Sequence, residues 1–273
     1  MLRVVVDSGL PLVLKPRRGT SSQDTELISD EEQLRAAVAV SASGRMLLEG
    51  YIPDPTMPQT GAGSASYVSV ELISSSGMVD VLGMSSRTPL APPFRETGFL
   101  LPADGALAAD LAAAAVQAVQ ALGVEIRALH VELKCTDDGP VIIEVNARPG
   151  GAGVHFRMRR ALGIDTVQPV MRLTVGEEPM LGDLPVPDGV VFRFDVQPDA
   201  NIRRITAVDR LNAVLHSPGV EQVVPRVGRR DDFSWRNGTL GFAAAVIGTA
   251  PHHQTARRIR DDVLDCVAIS GTQ

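Results

Sequence analysis

The sequence predicts an α+β fold: an antiparallel sheet with flanking helices, followed by a small C-terminal α+β unit. Three observations carry this. Residues 130–148 alternate polar and apolar side chains on both sides of Asp137-Asp138-Gly139, the signature of two antiparallel strands joined by a tight turn. Residues 29–44 and 104–123 show helical spacing between a capping residue and a terminal glycine. From Pro185 onward, four short strands separated by Pro, Gly, Asp and Asn precede one helix. The division falls at 1–182 and 183–273.

Taken in order, Leu12-Val13-Leu14 forms a short strand ending in Lys15-Pro16. The loop Arg17 to Gln23 follows, rich in Gly and hydroxyl residues. Such a loop after a strand can wrap a phosphate with backbone N–H groups and hydroxyls, with the strand's Lys adding a point charge. Its order is not the Walker signature, which needs its Lys after the glycines. Ser29 with Glu32 makes a capping box for a helix that places Leu34, Ala37, Val38 and Ser41 on one face and ends at Gly44. Met46 to Ile52 is a strand with its exit. Pro53 to Ser66 is a long loop rich in Pro, Gly, Ser and Thr. Tyr67–Ile73 and Val79–Met84 are paired strands turning at Gly77, and Arg87 follows on a loop. Asp104 caps a second helix whose buried stripe is Leu107, Leu111, Ala115, Ala118 and Leu122.

The hairpin carries the chemistry. In its first strand Val131, Leu133 and Cys135 form the apolar set, opposite His130, Glu132 and Lys134. In its second, Glu144, Asn146 and Arg148 share one face, while Ile143, Val145 and Ala147 point to a core. A three-residue loop is expected, because the apolar pattern fits only an odd loop, and it sets Glu132 opposite Glu144. Two facing carboxylates repel unless a cation lies between them. Glu132, Glu144 and Asn146 offer only oxygen ligands, which suits Mg2+ (or Mn2+) shared with substrate phosphates. Arg148 suits bidentate contact with a phosphate or carboxylate. Gly150 and Gly151 then allow close backbone approach to a ligand. The segment from Ala152 to Gly163 follows as a helix whose N-terminus attracts anions, with His155 and Arg157 placed to meet a substrate carboxylate. A further helix starts at Asp165.

The C-terminal strands are Val190–Val196, Ile202–Val208, Val220–Val227 and Leu240–Gly248, before a helix from about Thr255 to Ala268 that His252-His253 caps. Arg229-Arg230 and Trp235 belong to a surface loop. The chain has 273 residues, 44% of them hydrophobic, and a net charge of -6. A charge of that sign disfavours nucleic-acid binding, but a local basic pocket still suffices for a nucleotide. Cys135 and Cys266 have no metal-type spacing and suit a reducing, cytoplasmic setting. The opening segment lacks signal-peptide character, and the Ala-rich helix contains Asp110, Gln117 and Gln120, unlike a membrane span.

The segment ELKCTDDGPVIIEVNARPGG resembles the metal-binding signature of the ATP-grasp superfamily, and most closely its carboxylate–amine ligases of the L-amino-acid ligase type. In those proteins one strand supplies a Glu and the next a Glu-x-Asn-x-Arg. The resemblance implies an ATP-grasp fold. It implies ATP and Mg2+ as cofactors, small-molecule carboxylate and amine substrates, and amide-bond formation through an acyl phosphate. Lys15, Gly19, Ser21 and Ser22 would hold phosphate, and Glu49, Tyr51 and Ile52 the adenine edge. Arg87 and Arg148 would add catalytic positive charge. Pro92-Pro93-Phe94, then Glu96-Thr97-Gly98, matches a stretch in which the acid, here Glu96, meets the amino-acid substrate. The family's His is Phe99 here, which implies an apolar contact in the substrate pocket.

Relative to whole members of that family, the chain begins near the Lys15 strand. The N-terminal α/β domain and the lid's nucleotide-binding Lys are therefore expected to be missing. A homodimer or a separately supplied N-terminal domain is the partner left open, and an ATP-binding subunit without activity is the alternative function. Carboxylase or kinase chemistry is a further alternative. Biotin carboxylation fits less well, because the phosphate loop lacks a long glycine run.

Overall fold

The computed structural model describes residues 9–41, 44–56, 63–105, 108–125, 127–181, 187–226 and 232–273. Its main body is one eight-stranded, wholly antiparallel sheet. The strand order is β11 (Val220–Pro225), β12 (Ala244–Ala250), β9 (Val190–Val196), β6 (Gly98–Leu101), β5 (Met78–Arg87), β4 (Tyr67–Ser75), β7 (Arg127–Thr136) and β8 (Gly139–Asn146). A second, three-stranded sheet orders β2 (Glu26–Ile28), β1 (Leu12–Pro16) and β3 (Met46–Gly50). The strands β10 (Arg204–Asp209) and β13 (Ala268–Thr272) pair separately.

Every residue of β4 is buried, because the strand is central and covered on both faces. Val68, Val70 and Leu72 pack under helix α2 (Ala108–Ala121) through Leu111, Ala115 and Val119. The other face turns Ile73 to helix α3 (Val154–Leu162), which contributes Val154, Met158 and Leu162. It also turns Ser69 and Glu71 inward, and both are buried. The buried stripe of α2 runs through Val119 rather than Ala118, and Leu122 is 62% exposed because the helix has ended. Leu107 lies outside the described residues. The Asp104 carboxylate binds Arg257 at 2.6 Å, and residues 106–107, which the expected cap would meet, lie outside the described residues.

The first helix, α1 (Glu31–Ser41), is capped one residue later than expected. Asp30 Oδ1 accepts from Gln33 N, while Gln33 Oε1 accepts from Ser29 N, both at 2.8 Å. Asp30 is thus the N-cap, and Gln33 reaches back to the N–H of the residue before it, a variant of the capping box. The short helix α4 (Val167–Thr174) follows α3, with Asp165 Oδ1 accepting from Val167 N at 2.9 Å.

The C-terminal strands β9, β12 and β11 continue the main sheet through β6, whose pairing with both β5 and β9 closes the gap. Gly98 permits that junction: with φ at 141°, a Cβ there would lie 2.1 Å from the Arg193 carbonyl oxygen. The region nonetheless has a core of its own. In it Phe192 and Phe194 meet helix α6 (His253–Cys266), after the one-turn helix α5 (Leu211–Leu215) contributes Val214. His252 caps α6 as expected, its Nδ1 accepting from Thr255 N at 3.2 Å. Trp235 is half-buried, with the Arg236 guanidinium 4.4 Å from its ring, and Arg229-Arg230 lie outside the described residues. Cys135 and Cys266 are free thiols. Among the described residues no helix is long and apolar enough to cross a membrane.

Candidate active site

A cavity of about 1120 Å³ lies between the two sheets, lined from both. The hairpin β7–β8 forms one wall. Its turn is tighter than expected: Thr136 pairs with Gly139, so only Asp137 and Asp138 are loop. A two-residue loop alone would misalign the acids. A β-bulge at Ile143 corrects the parity, since Leu133 pairs with Ile142 and Glu132 with Glu144. Glu132 therefore faces Glu144 by a different route. The bulge also exchanges the two isoleucines. Ile142 packs on the core, and Ile143 lines the cavity, contrary to simple alternation.

Glu132, Glu144, Asn146 and Arg148 all line this wall. Asn146 Nδ2 donates to Glu144 Oε1 at 2.7 Å, which leaves the amide oxygen free for another partner. Among the described residues no three His, Cys, Asp or Glu side chains cluster as a metal site. The donor set is instead two carboxylates and one amide. Three hard oxygens fit Mg2+, which completes its octahedron with water and phosphate. Burial opposes ionisation of Glu132, but the hydrogen bond from His130 and the charges of Arg87, His130 and Arg148 outweigh it and hold the pKa below the ordinary value.

The facing wall comes from the smaller sheet. Lys15 and Glu49 sit diagonally on β1 and β3, Nζ to Oε1 at 2.6 Å. The loop after β1 brings Gly19, Ser21 and Ser22 to the same cavity. Ser21 and Ser22 both have positive φ, 58° and 56°, an unusual conformation for residues with side chains. The 3-10 helix Trp235–Gly241 supports them, with Thr239 N donating to Ser21 O at 2.8 Å.

Tyr51 and Ile52 line the cavity beyond Glu49. Lys134 of β7 organises this segment. It donates to Ile52 O at 2.7 Å, pairs with Asp54 at 3.2 Å and lies 4.7 Å from the Tyr51 ring centroid. Thr56 N is held by Asp137 at the hairpin tip, at 3.0 Å. Residues 57–62 of the expected loop lie outside the described residues.

At the other end, Arg87 stands at the end of β5, not on a loop. Its guanidinium binds Glu96 at 2.9 Å, and Glu96 also accepts from Tyr67 at 3.4 Å. Burial opposes the Arg87 charge, but Glu96 and its neighbours raise the pKa above the ordinary value. Glu96 thus enters the cavity already neutralised. Phe99 does not line it. The ring is 2% exposed, with the guanidiniums of Arg157 and Arg87 at 4.8 and 5.6 Å. Arg157 is spent there, also donating to Ala152 O; burial and the Arg193 charge lower its pKa to about 10.

Two expected substrate residues are absent from the cavity wall. Gly151 lines it, but Gly150 is buried beneath, against Glu71 and His130. His155 on α3 lies against Phe156, with ring centroids 4.0 Å apart and the planes tilted by 42°. Other lining residues had weaker sequence signals. His130 and Lys134 share the polar alternation of Glu132. Arg193 and Asp195 show the same period on β9 and pair at 2.7 Å. Burial raises the Asp195 pKa to about 6 despite Arg193. Arg193 and Arg226 both approach the Phe242 ring, at 5.0 and 4.9 Å.

Comparison with known proteins bears on the family and the fold. The chain is 27% identical over 267 residues to the uncharacterized protein y4rH of Sinorhizobium fredii, covering 94% of this chain and 52% of the relative. It is 31% identical over 174 residues to the D-alanine–D-alanine ligase of Mycobacterium tuberculosis H37Rv, 58% of this chain and 44% of that enzyme. The chain thus spans about half the length of these relatives. Among solved structures, the L-amino acid ligase from Bacillus licheniformis superposes with a TM-score of 0.73 at 22% identity. That match covers 97% of this chain and 64% of the other, and at such identity it speaks for the fold. The ATP-grasp domain model matches residues 4–152, more than half of the chain. The hairpin that holds Glu132, Glu144 and Asn146 lies within that span, and the chain belongs to the ATP-grasp family.

Proposed function

We propose that this chain is the nucleotide- and metal-binding part of an ATP-dependent carboxylate–amine ligase. One observation carries the reading. Glu132, Glu144, Asn146 and Arg148 form one wall of a cavity whose opposite wall holds Lys15 and the loop containing Gly19, Ser21 and Ser22. Oxygen ligands face a phosphate-type loop across one cavity, which suits Mg2+ shared with a polyphosphate.

In this reading Lys15 and the N–H groups of the loop hold the phosphates, and the segment around Tyr51 and Ile52 borders the base. Bound Mg2+ supplies charge neutralisation at the transferring phosphoryl group. Arg148 and Arg87 provide fixed positive charge, the main protein resource in phosphoryl transfer. The γ-phosphoryl group passes to a carboxylate oxygen, releasing ADP. The amine nitrogen then attacks the acyl carbon, the bond to phosphate breaks, and an amide and inorganic phosphate remain. Similarity to the D-alanine–D-alanine ligase supports amino-acid-like substrates.

The test is ADP and phosphate release over a panel of amino acids and simple acids, each with and without an amine. Release that needs both acid and amine supports ligation. Release with an acid alone, yielding a stable acyl phosphate, indicates a kinase. Mg-ATP binding without turnover on any pair indicates a non-catalytic ATP-binding subunit.

A further inference from the structure

Behind the wall of Glu132 lies a buried chain of polar groups that the proposed reaction does not use. His130 is 3% exposed, yet both ring nitrogens are occupied. Nδ1 lies 2.5 Å from Glu71 Oε1, and Nε2 lies 3.1 Å from Glu132 Oε1. Glu71, 6% exposed, uses its second oxygen to accept from Gly150 N at 3.0 Å. The sheet register imposes the first contact, because Glu71 on β4 pairs with His130 on β7. Gly150 seals the arrangement. A Cβ there would lie 2.6 and 2.9 Å from the Glu71 oxygens and 2.9 Å from His130 Nδ1.

A buried carboxylate is costly unless fully partnered, and an apolar residue at position 71 would fill a central strand more cheaply. The chain of contacts starts at the inner carboxylate of the candidate metal wall. It ends on the backbone of the loop that follows Arg148. We propose that His130 and Glu71 are positioning residues: they fix Glu132 and the 148–151 loop relative to each other, so that the metal-binding carboxylate and Arg148 keep one spacing. Neither side chain needs to touch a ligand. The claim on Glu132 rests on the metal reading proposed above, whereas the tie between His130 and the loop does not. Partners that orient metal ligands typically change metal affinity by about 10–100-fold when removed.

Two measurements on the whole chain test this. The first is hydrogen–deuterium exchange of the 148–152 segment without metal. The second is Mn2+ binding in the presence of ADP, followed by the EPR signal of free Mn2+. His130→Gln is expected to speed exchange of the segment and to weaken Mn2+ binding about 10–100-fold. Glu71→Gln keeps the side chain's size and changes both readouts in the same direction, which covers the case of a His130 variant that fails to fold. Ser74→Ala is the control. It removes a similarly buried bond, from Ser74 Oγ to Val124 O at 2.6 Å on the same strand, and should lower thermal stability alone. Unchanged exchange at 148–152 in a folded variant overturns the proposal, as does a control that moves both readouts equally. Faster exchange with unchanged Mn2+ affinity overturns the role toward Glu132. If the parent binds no Mn2+ while exchange still rises in the variants, the metal reading fails and the tie to the loop stands.

Discussion

Gly238→Ala should uncouple the phosphate-type loop from the body of the protein. Gly238 has φ 60° and ψ −144°, a region essentially closed to residues with a Cβ. An added methyl would sit 2.0 Å from Ser21 O and 2.7 Å from both Gln23 N and Ser22 C, all backbone atoms. No flexible side chain can yield, so the loop itself must move by an ångström or more. Backbone strain costs about 1–3 kcal/mol and overpacking a similar amount, so a loss of roughly 3 kcal/mol is a reasonable centre. For a chain of this size that lowers the Tm by about 6–12 °C. A displacement near 1 Å can also reduce turnover by about 100-fold. The control is Gly77→Ala, which has φ 79° but nothing within 4 Å of the new Cβ. It carries backbone strain without touching the loop. Scanning calorimetry gives the Tm, and isothermal titration with Mg-ADP gives the affinity. Gly238→Ala should weaken ADP at least tenfold, and Gly77→Ala should not. A Gly238→Ala protein with the parent's Tm and ADP affinity would refute the claim that the 3-10 helix shapes the loop.

Glu144→Gln should leave the Tm within a degree or two, because Glu144 is exposed and its hydrogen bond comes from Asn146. Mn2+ binding should fall at least tenfold, and unchanged binding would remove Glu144 from the ligand set. Phe99→His should destabilise the fold by about 3 kcal/mol, since the ring is buried beneath two guanidiniums, without reordering the preferred substrates. A reordered panel at unchanged Tm would put this ring in the substrate pocket after all. Stability should also depend on pH in a defined way. Burial disfavours the charged form of His130, but Glu132 and Glu71 outweigh it and raise the pKa from 6.5 to about 9. Its contribution is fully present below pH 6.5 and is lost as pH rises through 9, on the order of 3 kcal/mol in all. Asp195, raised by burial from 3.8 to about 6, adds a penalty that grows as pH climbs across that interval. The lowered Glu132, with a normal value of 4.5, loses its contribution below that pH. Urea midpoints should therefore peak between about pH 4.5 and 6 and decline toward 9. Equal midpoints at pH 5 and 9 would contradict the assignment of His130.

What could be read in advance followed from local periodicity. The strand Val190–Val196 is marked by the breakers around it, and the facing of Glu132 and Glu144 rests on alternation, which survives folding. The hairpin shows the limit of that logic. Counting residues across the turn assumes an unbroken register, so the correct pairing was reached through a three-residue loop that does not exist. The bulge at Ile143 leaves no mark in a run of Val, Ile and Ile. Strand β6 was equally hidden. Four residues long, it is defined by its pairing partners β5 and β9, and the partner β9 lies about ninety positions away. Its junction turns the C-terminal strands into an extension of the main sheet. Phe99 is misplaced by sequence for a related reason: aligning it with a family position gives no information on which side of β6 its ring falls. Glu71 lies within the expected strand Tyr67–Ile73, and only the neighbouring strand β7 supplies its partner His130.

The cavity also explains how an acidic chain can accommodate a polyphosphate. Net charge averages over the surface, whereas a ligand responds to groups within a few ångströms. Four of the lining cations are neutralised in place by acids at 2.6–3.2 Å: Lys15 by Glu49, Arg87 by Glu96, Lys134 by Asp54 and Arg193 by Asp195. Four others, Arg17, Arg18, Arg148 and Arg226, form no direct ion pair with an acid among the described residues, although the Arg148 charge still acts on Glu132. Their distribution is uneven in a useful way. Arg17 and Arg18 belong to the phosphate-type loop, and Arg148 follows Glu144 and Asn146 on the hairpin wall. The paired cations hold the cavity's shape without strong net charge, because each brings its own counter-ion. In the proposed reading the other four guanidiniums would supply the field, and two of them lie within the loop expected to meet phosphate. In that reading the ion pairs would keep the architecture and the remaining arginines would attract the anion, so that anion binding need not dismantle the pairs that hold the strands and loops in place.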